Sequence, residues 1–145
     1  ADIYSKYTKC KNDNYIHTDV LAASLLKYTI NSFLATKVIF FNELSILFNL
    51  SGTEESWENF TNYLSLDERI GDSHMMVPGH DGRLGFGGAC FPKDTAALLK
   101  YAENLGADLS LIKSAIYTNN KIRAKYNTNT DREDEQNITF NKKES

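Results

Sequence analysis

The sequence is poor in the residues that mark several classes of protein. Two cysteines among 145 residues allow one disulfide bond at most, which argues against a disulfide-rich secreted domain. With 16 basic and 19 acidic residues, the formal net charge of −3 provides no basic excess for binding nucleic acid or an anionic membrane. No signal-peptide pattern stands at the N-terminus. We therefore expect a protein of a reducing, cytoplasmic setting.

Long hydrophobic runs are missing as well. Residues 20–50 are rich in apolar side chains, but the longest bulky run covers only residues 38–41, so we expect no transmembrane span. The polar residues that interrupt the segment are Lys27, Asn31, Lys37, Asn42 and Glu43. Without proline or glycine, and with apolar residues on nearly every face, the segment predicts one long helix. Such a helix is either buried on most sides or contacts a partner chain with its second face.

The remaining pattern predicts a mainly all-α fold around that helix. Asp19 is its expected N-cap and Gly52 its end. Further helices are expected from Thr53 through Leu64, over about residues 95–105 and over about residues 109–126. Residues 67–84 show no clean period, which predicts a long loop that is either functional or disordered. We assign residues 20–126 to one helical domain and residues 127–145 to a polar, disordered tail.

One cysteine lies behind a glycine-rich loop, in residues 85–94 (GFGGACFPKD). Three glycines in four positions let the backbone approach a ligand closely. Pro92 suits the start of a helix and Asp94 its cap, so Cys90 would lie beside a helix N-terminus. There the helix dipole and the Lys93 charge favour the thiolate, which is the nucleophilic form. From these residues alone, a tight loop around a small buried cysteine is an equally good interpretation.

Four blocks of sequence, in the same order, resemble the nucleotide-sugar dehydrogenases of the UDP-glucose/GDP-mannose dehydrogenase family, and within it the UDP-glucose 6-dehydrogenases. They are residues 27–43, residues 67–71 (DERIG), residues 73–82 (SHMMVPGHDG) and residues 85–94. The resemblance covers about residues 15–123. It implies the helical central domain of such an enzyme, similar to the 6-phosphogluconate dehydrogenase C-terminal-like domain, with the long helix at the core of a homodimer.

The resemblance also implies a reaction and a set of site residues. The family oxidises the primary hydroxyl of a sugar nucleotide, such as UDP-glucose, to a carboxylate with NAD⁺. Cys90 is implied as the nucleophile that forms a thiohemiacetal and then a thioester, Lys27 and Asn31 as stabilisers of the oxyanion, and Asp94 as the residue that activates water. Lys93 is implied at the NAD cofactor. The implied substrate-binding residues are Lys27, Arg69, Val77, Pro78, Gly79, Leu84, Gly85 and Gly87.

The sequence departs from that family in three respects. It has no Gly-x-Gly-x-x-Gly turn after a first strand, it carries Ser24 where the family has a glutamate, and after the helices it continues into a polar segment where the family has its second nucleotide-binding domain. Residues 1–19 resemble the end of a dinucleotide-binding domain. We therefore expect an isolated central domain that is inactive alone and lacks most of an NAD site.

Three functions are compatible with these observations. The first is an oxidoreductase half whose NAD-binding domain belongs to a separate chain. The second is a non-catalytic module for dimerisation or for binding a sugar nucleotide. The third, which we favour least, is a cysteine hydrolase that pairs Cys90 with His74 or His80, because the loop lacks a hydrolase signature. None of the histidines has the spacing of a metal site, so no metal is expected.

Overall fold

The computed structural model describes residues 16–140, and this part of the chain is α-helical. No residue between 16 and 140 forms a strand, which confirms the predicted all-α class. The expected end of a dinucleotide-binding domain falls mostly on residues 1–15, outside the described part, as does Cys10. The helices within residues 16–140 are α1 (Val20–Leu50), α2 (Trp57–Leu64), α3 (Cys90–Asn104), α4 (Ser110–Arg123) and α5 (Asp131–Glu135).

The long helix α1 begins and ends where the sequence predicts. The Asp19 carboxylate accepts the backbone N–H of Ala22 at 2.9 Å, which satisfies one free donor of the first turn. At the other end the N–H of Ser51 donates to the carbonyl of Leu47 at 2.9 Å, and Gly52 adopts a φ of 73°. A glycine in this left-handed conformation is the usual way to end a helix.

The core of the fold lies between α1, α3 and α4, which pack against one another. Ala35 and Ile39 of α1 and Phe86 of the preceding loop form its buried centre, and Val38, Phe91 and Ile122 pack around them. A second, aromatic contact holds α2 against the C-terminal half of α1. There the rings of Phe48 and Phe60 lie 4.9 Å apart, and Trp57 donates its indole N–H to the carbonyl of Met75 at 3.3 Å.

One side of α1 is open to solvent although it is apolar. Leu26, Phe33, Phe40 and Leu47, each seven residues from the next, are 54%, 65%, 58% and 63% exposed. We call these four residues the α1 seam. The sequence allowed a helix buried on most sides or one whose second face contacts a partner chain. The exposed face excludes the first alternative for the single chain, and the second stays a prediction. Apolar residues that recur every seven positions are typical of a helix that pairs with another helix.

By length and composition, α1 is also apolar enough to cross a membrane. Its most apolar stretch of 18 residues has a mean hydropathy of 1.4, and 28% of that stretch is buried. This differs from the expectation drawn from its interrupting polar residues. The core helix of a soluble protein has the same length and hydropathy, so these two properties do not identify what covers the seam. The identity of the covering surface has to be argued from the pattern of exposed residues.

The structure differs from the sequence prediction at the start of two helices. Helix α3 begins at Cys90 rather than near residue 95, and Asp94 lies inside it instead of capping it. Pro92 is tolerated in this first turn because its missing N–H would have no partner there. Helix α2 begins after Ser56, whose hydroxyl accepts the N–H of Asn59 at 3.1 Å, and not at Thr53. The long loop is confirmed, because no helix or strand occurs in residues 67–84.

The structure also differs from the expected disorder over residues 127–140. Helix α5 begins with a capping box between Thr130 and Glu133, and the Glu133 side chain is completely buried. A prediction from composition treats these charged residues as solvated. It misses the buried ion pair between Glu133 and Arg123. The charges that predict disorder are here part of a tertiary contact.

Candidate active site at the start of helix α3

A buried carboxylate joins the start of α3 to the middle of α1. Asp94 has no exposed surface. It accepts the side-chain amide of Asn31 at 2.6 Å and the ammonium of Lys93 at 2.7 Å, and the Lys27 ammonium lies 3.4 Å away. Four of the residues that the sequence singled out therefore meet at one point. Lys27 and Asn31 reach it because residues four apart share one face of a helix.

The charges of this group determine its protonation. Burial acts to raise the pKa of Asp94, but the hydrogen bonds from Lys93 and Asn31 and the charges of Lys93 and Lys27 outweigh burial and lower that pKa below its ordinary value. The hydrogen bond and charge of Asp94 in turn raise the pKa of Lys93. The site thus holds one fixed carboxylate and two ammonium groups. The lysine side chains remain 59% and 53% exposed at Lys27 and Lys93, so they can reach a ligand.

Cys90 is the first residue of α3 and carries an exposed free thiol. It lies one helical turn before Asp94 and three residues before Lys93, and positions with this spacing are neighbours on a helix surface. The N-terminal end of a helix carries partial positive charge, which favours an anion. An exposed thiol in a cationic setting of this kind is the arrangement expected of a reactive cysteine rather than a buried structural one.

Buried side chains hold the glycine-rich loop before Cys90 from below. The N–H of Gly85 donates to the side-chain oxygen of Asn42 at 2.9 Å, and that of Phe86 to the side-chain oxygen of Asn119 at 2.7 Å. The N–H of Gly88 donates to a carboxylate oxygen of Glu133 at 3.3 Å. These donors are already satisfied within the protein, so they do not form a cradle for phosphate.

Glycine is required at two positions of this loop. Gly85 has a φ of 74°, and a Cβ there would lie 2.6 Å from the side-chain oxygen of Asn119. A Cβ on Gly87 would overlap the side chains of Arg123 and Glu133. Arg123 is itself buried, 2.6 Å from Asp81 and 3.4 Å from Glu133. The loop therefore runs directly over a buried ion-pair cluster.

A cavity of about 810 Å³ lies beside the loop. Gly79, Gly85 and Gly87, three of the expected substrate residues, line it. The other walls come from residues 72–76, from Phe91 and Arg123, and from residues 130–132. Neither Cys90 nor any member of the Asp94 group lines the cavity. The glycine-rich loop adjoins both, because Gly85, Gly87 and Gly88 line the cavity and Cys90 follows Gly88 by two residues.

The other expected substrate residues lie apart from this cavity. Leu84 lines a smaller cavity of about 270 Å³ between α1 and α4, and Val77 and Pro78 line neither of the two. Arg69 pairs with Asp67 of its own loop at 2.6 Å, and its side chain is 89% exposed. The structure thus brings together the Asp94 group and the glycines, but it leaves Arg69 on the surface of the chain, paired only with Asp67 among residues 16–140.

The arrangement does not favour a cysteine hydrolase. His74 and His80 line the large cavity, whereas Cys90 does not. Burial lowers the pKa of His74, helped by the charges of Lys37 and His80. Within residues 16–140 neither histidine makes a hydrogen bond to the thiol of Cys90. Over the same residues, no three His, Cys, Asp or Glu side chains come together as a possible metal site.

Sequence reasoning missed the residues that support the loop. Asn42 and Asn119 are 4% and 0% exposed, and each occupies the apolar stripe of its helix. A polar residue in such a stripe needs a buried hydrogen-bond partner, so this position was a readable signal. Arg123 and Glu133 gave no comparable signal, because both occur among other polar residues.

Comparisons with known proteins agree with the sequence blocks. The model of the UDP-glucose/GDP-mannose dehydrogenase family, central domain, matches residues 21–121. The UDP-glucose 6-dehydrogenases TuaD and YwqF of Bacillus subtilis (strain 168) are 39% and 41% identical over 108 and 107 residues, in each case 74% of this chain. A UDP-glucose 6-dehydrogenase of Rickettsia felis is 38% identical over 105 residues, 72% of this chain. The matched parts make up 22%, 23% and 22% of these relatives.

Proposed function

The chain belongs to the UDP-glucose/GDP-mannose dehydrogenase family, and from that membership we propose that it is the nucleophile-bearing central domain of a UDP-glucose 6-dehydrogenase. The observation that carries the proposal is the meeting of Lys27, Asn31 and Lys93 at the buried carboxylate of Asp94, one turn from the exposed thiol of Cys90. The relatives of that name support UDP-glucose as the substrate and oxidation of its primary hydroxyl as the reaction.

Cys90 is the group that captures the substrate at the aldehyde level. Its thiolate adds to the aldehyde carbon, a C–S bond forms, and the carbonyl oxygen becomes an oxyanion of a thiohemiacetal. After oxidation of that adduct to a thioester, water adds to the carbonyl carbon and the C–S bond breaks. The products are the carboxylate of UDP-glucuronate and the regenerated thiolate.

Lys27 and Asn31 stabilise the oxyanion. One N–H of the Asn31 amide donates to Asp94 at 2.6 Å, which leaves the second N–H for the substrate oxygen. The Lys27 ammonium has three donors, and only one of them is directed to Asp94. Preorganised donors of this kind are among the largest contributions to catalysis of acyl chemistry.

Asp94 acts mainly by orienting these donors. It is completely buried, and its lowered pKa makes it a weak base at neutral pH. The alternative role, activation of the hydrolytic water, requires a carboxylate oxygen to face that water. Both oxygens already accept hydrogen bonds, from Asn31 and from Lys93. The geometry therefore supports orientation more strongly than water activation.

NAD⁺ accepts hydride in this family, but residues 16–140 do not build a site for it. The N–H groups of the glycine-rich loop at Gly85, Phe86 and Gly88 are committed to buried acceptors. Lys93 is the one residue expected at the cofactor, and its exposed side chain offers a single cation. We therefore assign the redox step to a separate NAD-binding chain or domain that covers the surface around Lys27 and Lys93, and we derive no step through the cofactor.

The large cavity is the proposed site of the sugar nucleotide. Its volume of about 810 Å³ falls in the range of small-molecule sites, and the loop that forms its wall leads directly to Cys90. Among residues 16–140 the Arg69 side chain pairs only with Asp67 and is 89% exposed, so it is available to the substrate of a second chain.

The α1 seam supports a homodimer. Ile30, Lys37 and Leu44 follow the first three seam residues by four positions, which completes the alternating three–four spacing of a helix pair. Lys37 is the one charged residue in this spacing, and its ammonium donates to the carbonyl of Ile70 at 2.8 Å. Because that bond lies within one chain, the apolar seam residues and not Lys37 carry the proposed pairing.

The test is NAD⁺ reduction with UDP-glucose. The chain is assayed alone and after mixing with a separately expressed dinucleotide-binding domain, with Cys90→Ala as the matched control. We expect no turnover alone and turnover on mixing that disappears in the variant. No turnover on mixing, together with a dimer on a sizing column, would instead support the second candidate, a non-catalytic dimerisation module, which the exposed seam favours.

A further inference from the structure

The buried ion-pair cluster under the glycine-rich loop ties the C-terminal segment to the site. Glu133 has no exposed surface, and its carboxylate lies 3.4 Å from a terminal nitrogen of Arg123 and 3.9 Å from Arg83. Its second oxygen accepts the N–H of Thr130 at 2.8 Å. Burying a carboxylate is costly unless it is paired and hydrogen-bonded. The position of Glu133 is therefore specified by these partners.

Arg123 depends on the same contact. Its Nε and Nη1 atoms are buried and find no hydrogen-bond partner among residues 16–140. Its second terminal nitrogen serves both Asp81 at 2.6 Å and Glu133 at 3.4 Å. The guanidinium thus relies on two carboxylates, one from the long loop and one from α5.

The cluster is in direct contact with the backbone that leads to the cysteine. Glu133 accepts the N–H of Gly88 at 3.3 Å, and Gly88 has a φ of 71° two residues before Cys90. The missing Cβ of Gly87 leaves the space that Arg123 and Glu133 fill. Since α3 starts immediately after this turn, the direction of its first turn depends on where the Gly88 peptide is held.

We propose that Glu133 is a positioning residue for Cys90, acting through the hydrogen bond to Gly88 and the ion pair with Arg123. It does not touch the reacting atoms. The proposal rests on the proposed function only because it takes Cys90 as the reactive group. The segment from Thr130 to Glu135, whose sequence suggests a disordered tail, is on this basis a part of the site.

The test measures the rate constant of alkylation of Cys90 by iodoacetamide on the full chain, at a temperature where circular dichroism shows it folded. The product is followed by mass spectrometry of the peptide that contains Cys90, because Cys10 also reacts. We expect Glu133→Ala to change this rate constant by about three- to tenfold, the effect of one hydrogen bond. Glu133→Gln should restore the native rate constant only in part, because its amide oxygen can still accept from Gly88 but the ion pair with Arg123 is lost. The matched control is Glu135→Ala, an exposed residue on the same helix, which should leave the rate unchanged.

Backbone exchange supplies a second readout. In Glu133→Ala the amide of Gly88 should exchange about three- to tenfold faster relative to that of Phe86, which is held by Asn119 and serves as the internal reference for the stability of the whole fold. A folded Glu133→Ala chain with native alkylation and native Gly88 exchange overturns the proposal.

If Glu133→Ala does not fold, Arg123→Lys replaces it, because lysine keeps the charge but loses the shared planar contact. Native alkylation in a folded Arg123→Lys chain likewise refutes the positioning role. None of these measurements needs NAD⁺ or a sugar nucleotide, so their outcome is independent of whether mixed-chain turnover is found.

Discussion

Replacing Asp94 by asparagine tests the centre of the site. The substitution keeps the size of the side chain but removes the charge, and it turns an amide donor toward groups that are themselves donors, Asn31 or Lys93. The buried hydrogen bond from Asn31 to a charged acceptor contributes about 1.5–3 kcal/mol. The two lysines are more than half exposed, so their ion pairs are screened and add little. Relief of the buried charge offsets part of the loss, and we expect Asp94→Asn to lower the free energy of unfolding by about 2 kcal/mol.

The dependence of this difference on pH has a defined sign. The folded chain lowers the pKa of Asp94 from its ordinary value of 3.8. A carboxyl group with a lowered pKa contributes stability above its unfolded value, and the contribution is lost as pH falls through the folded value. The gap between native chain and variant should therefore be constant from neutral pH down to about 5 and should close below 3.8.

Urea denaturation followed by fluorescence measures the effect, because Trp57 is the single tryptophan and is packed between Phe48 and Phe60. Asp108→Asn is the matched control, since Asp108 also pairs with a lysine, Lys113, at 2.9 Å but is 71% exposed. The control should change stability by less than about 0.5 kcal/mol. Equal destabilisation by the two variants, or a gap that persists unchanged at pH 3, would show that the Asp94 group does not have the electrostatics argued here.

Two further pairs of variants test the glycine-rich loop and the α1 seam. The first pair distinguishes the steric cost of a Cβ from the cost of a positive φ. Gly85→Ala should lower the free energy of unfolding in urea by at least about 2 kcal/mol, because the new Cβ meets Asn119. Gly88→Ala has open space around the new Cβ and should cost about 1–2 kcal/mol for its positive φ alone. Equal losses of stability in the two variants would contradict the close contact at Gly85. Phe40→Glu, in the seam, should convert a dimer to a monomer in sedimentation velocity, and Asn62→Glu on the exposed side of α2 should not. A native chain that sediments as a monomer at high concentration would remove the basis for the dimer.

The sequence was sufficient where a local signal and its structural consequence coincide. Asp19 and Gly52 bound α1 because capping depends on the nearest turn alone. The start of α3 was misplaced because Pro92 and Asp94 fit more than one position in a first turn, and tertiary bonds to Asn31 decided between them. Glu133 could not be found from sequence, since nothing near it shows that Arg123 is buried beside it.

The candidate site combines contacts that helical spacing predicts with contacts that depend on the packing of two helices. The pairing of Lys27 with Asn31 follows from helical spacing within α1, and so does that of Cys90 with Asp94 within α3. The approach of the two helices, which brings these pairs together, is a property of the core around Ala35 and Phe86. Sequence spacing therefore predicted each face, and packing determined that the faces meet.

The hydrogen bonds that anchor the glycine-rich loop span 43, 33 and 45 residues of chain, to Asn42, Asn119 and Glu133. Contacts of such separation form only after long loops have closed, and closure is the slow, entropically costly part of folding. The loop before Cys90 therefore cannot assemble locally, and it takes its shape only once α1, α4 and α5 have all docked. Its Gly85 and Phe86 amides should accordingly exchange with solvent only through global unfolding, which makes the state of this loop a report on the completeness of the whole domain.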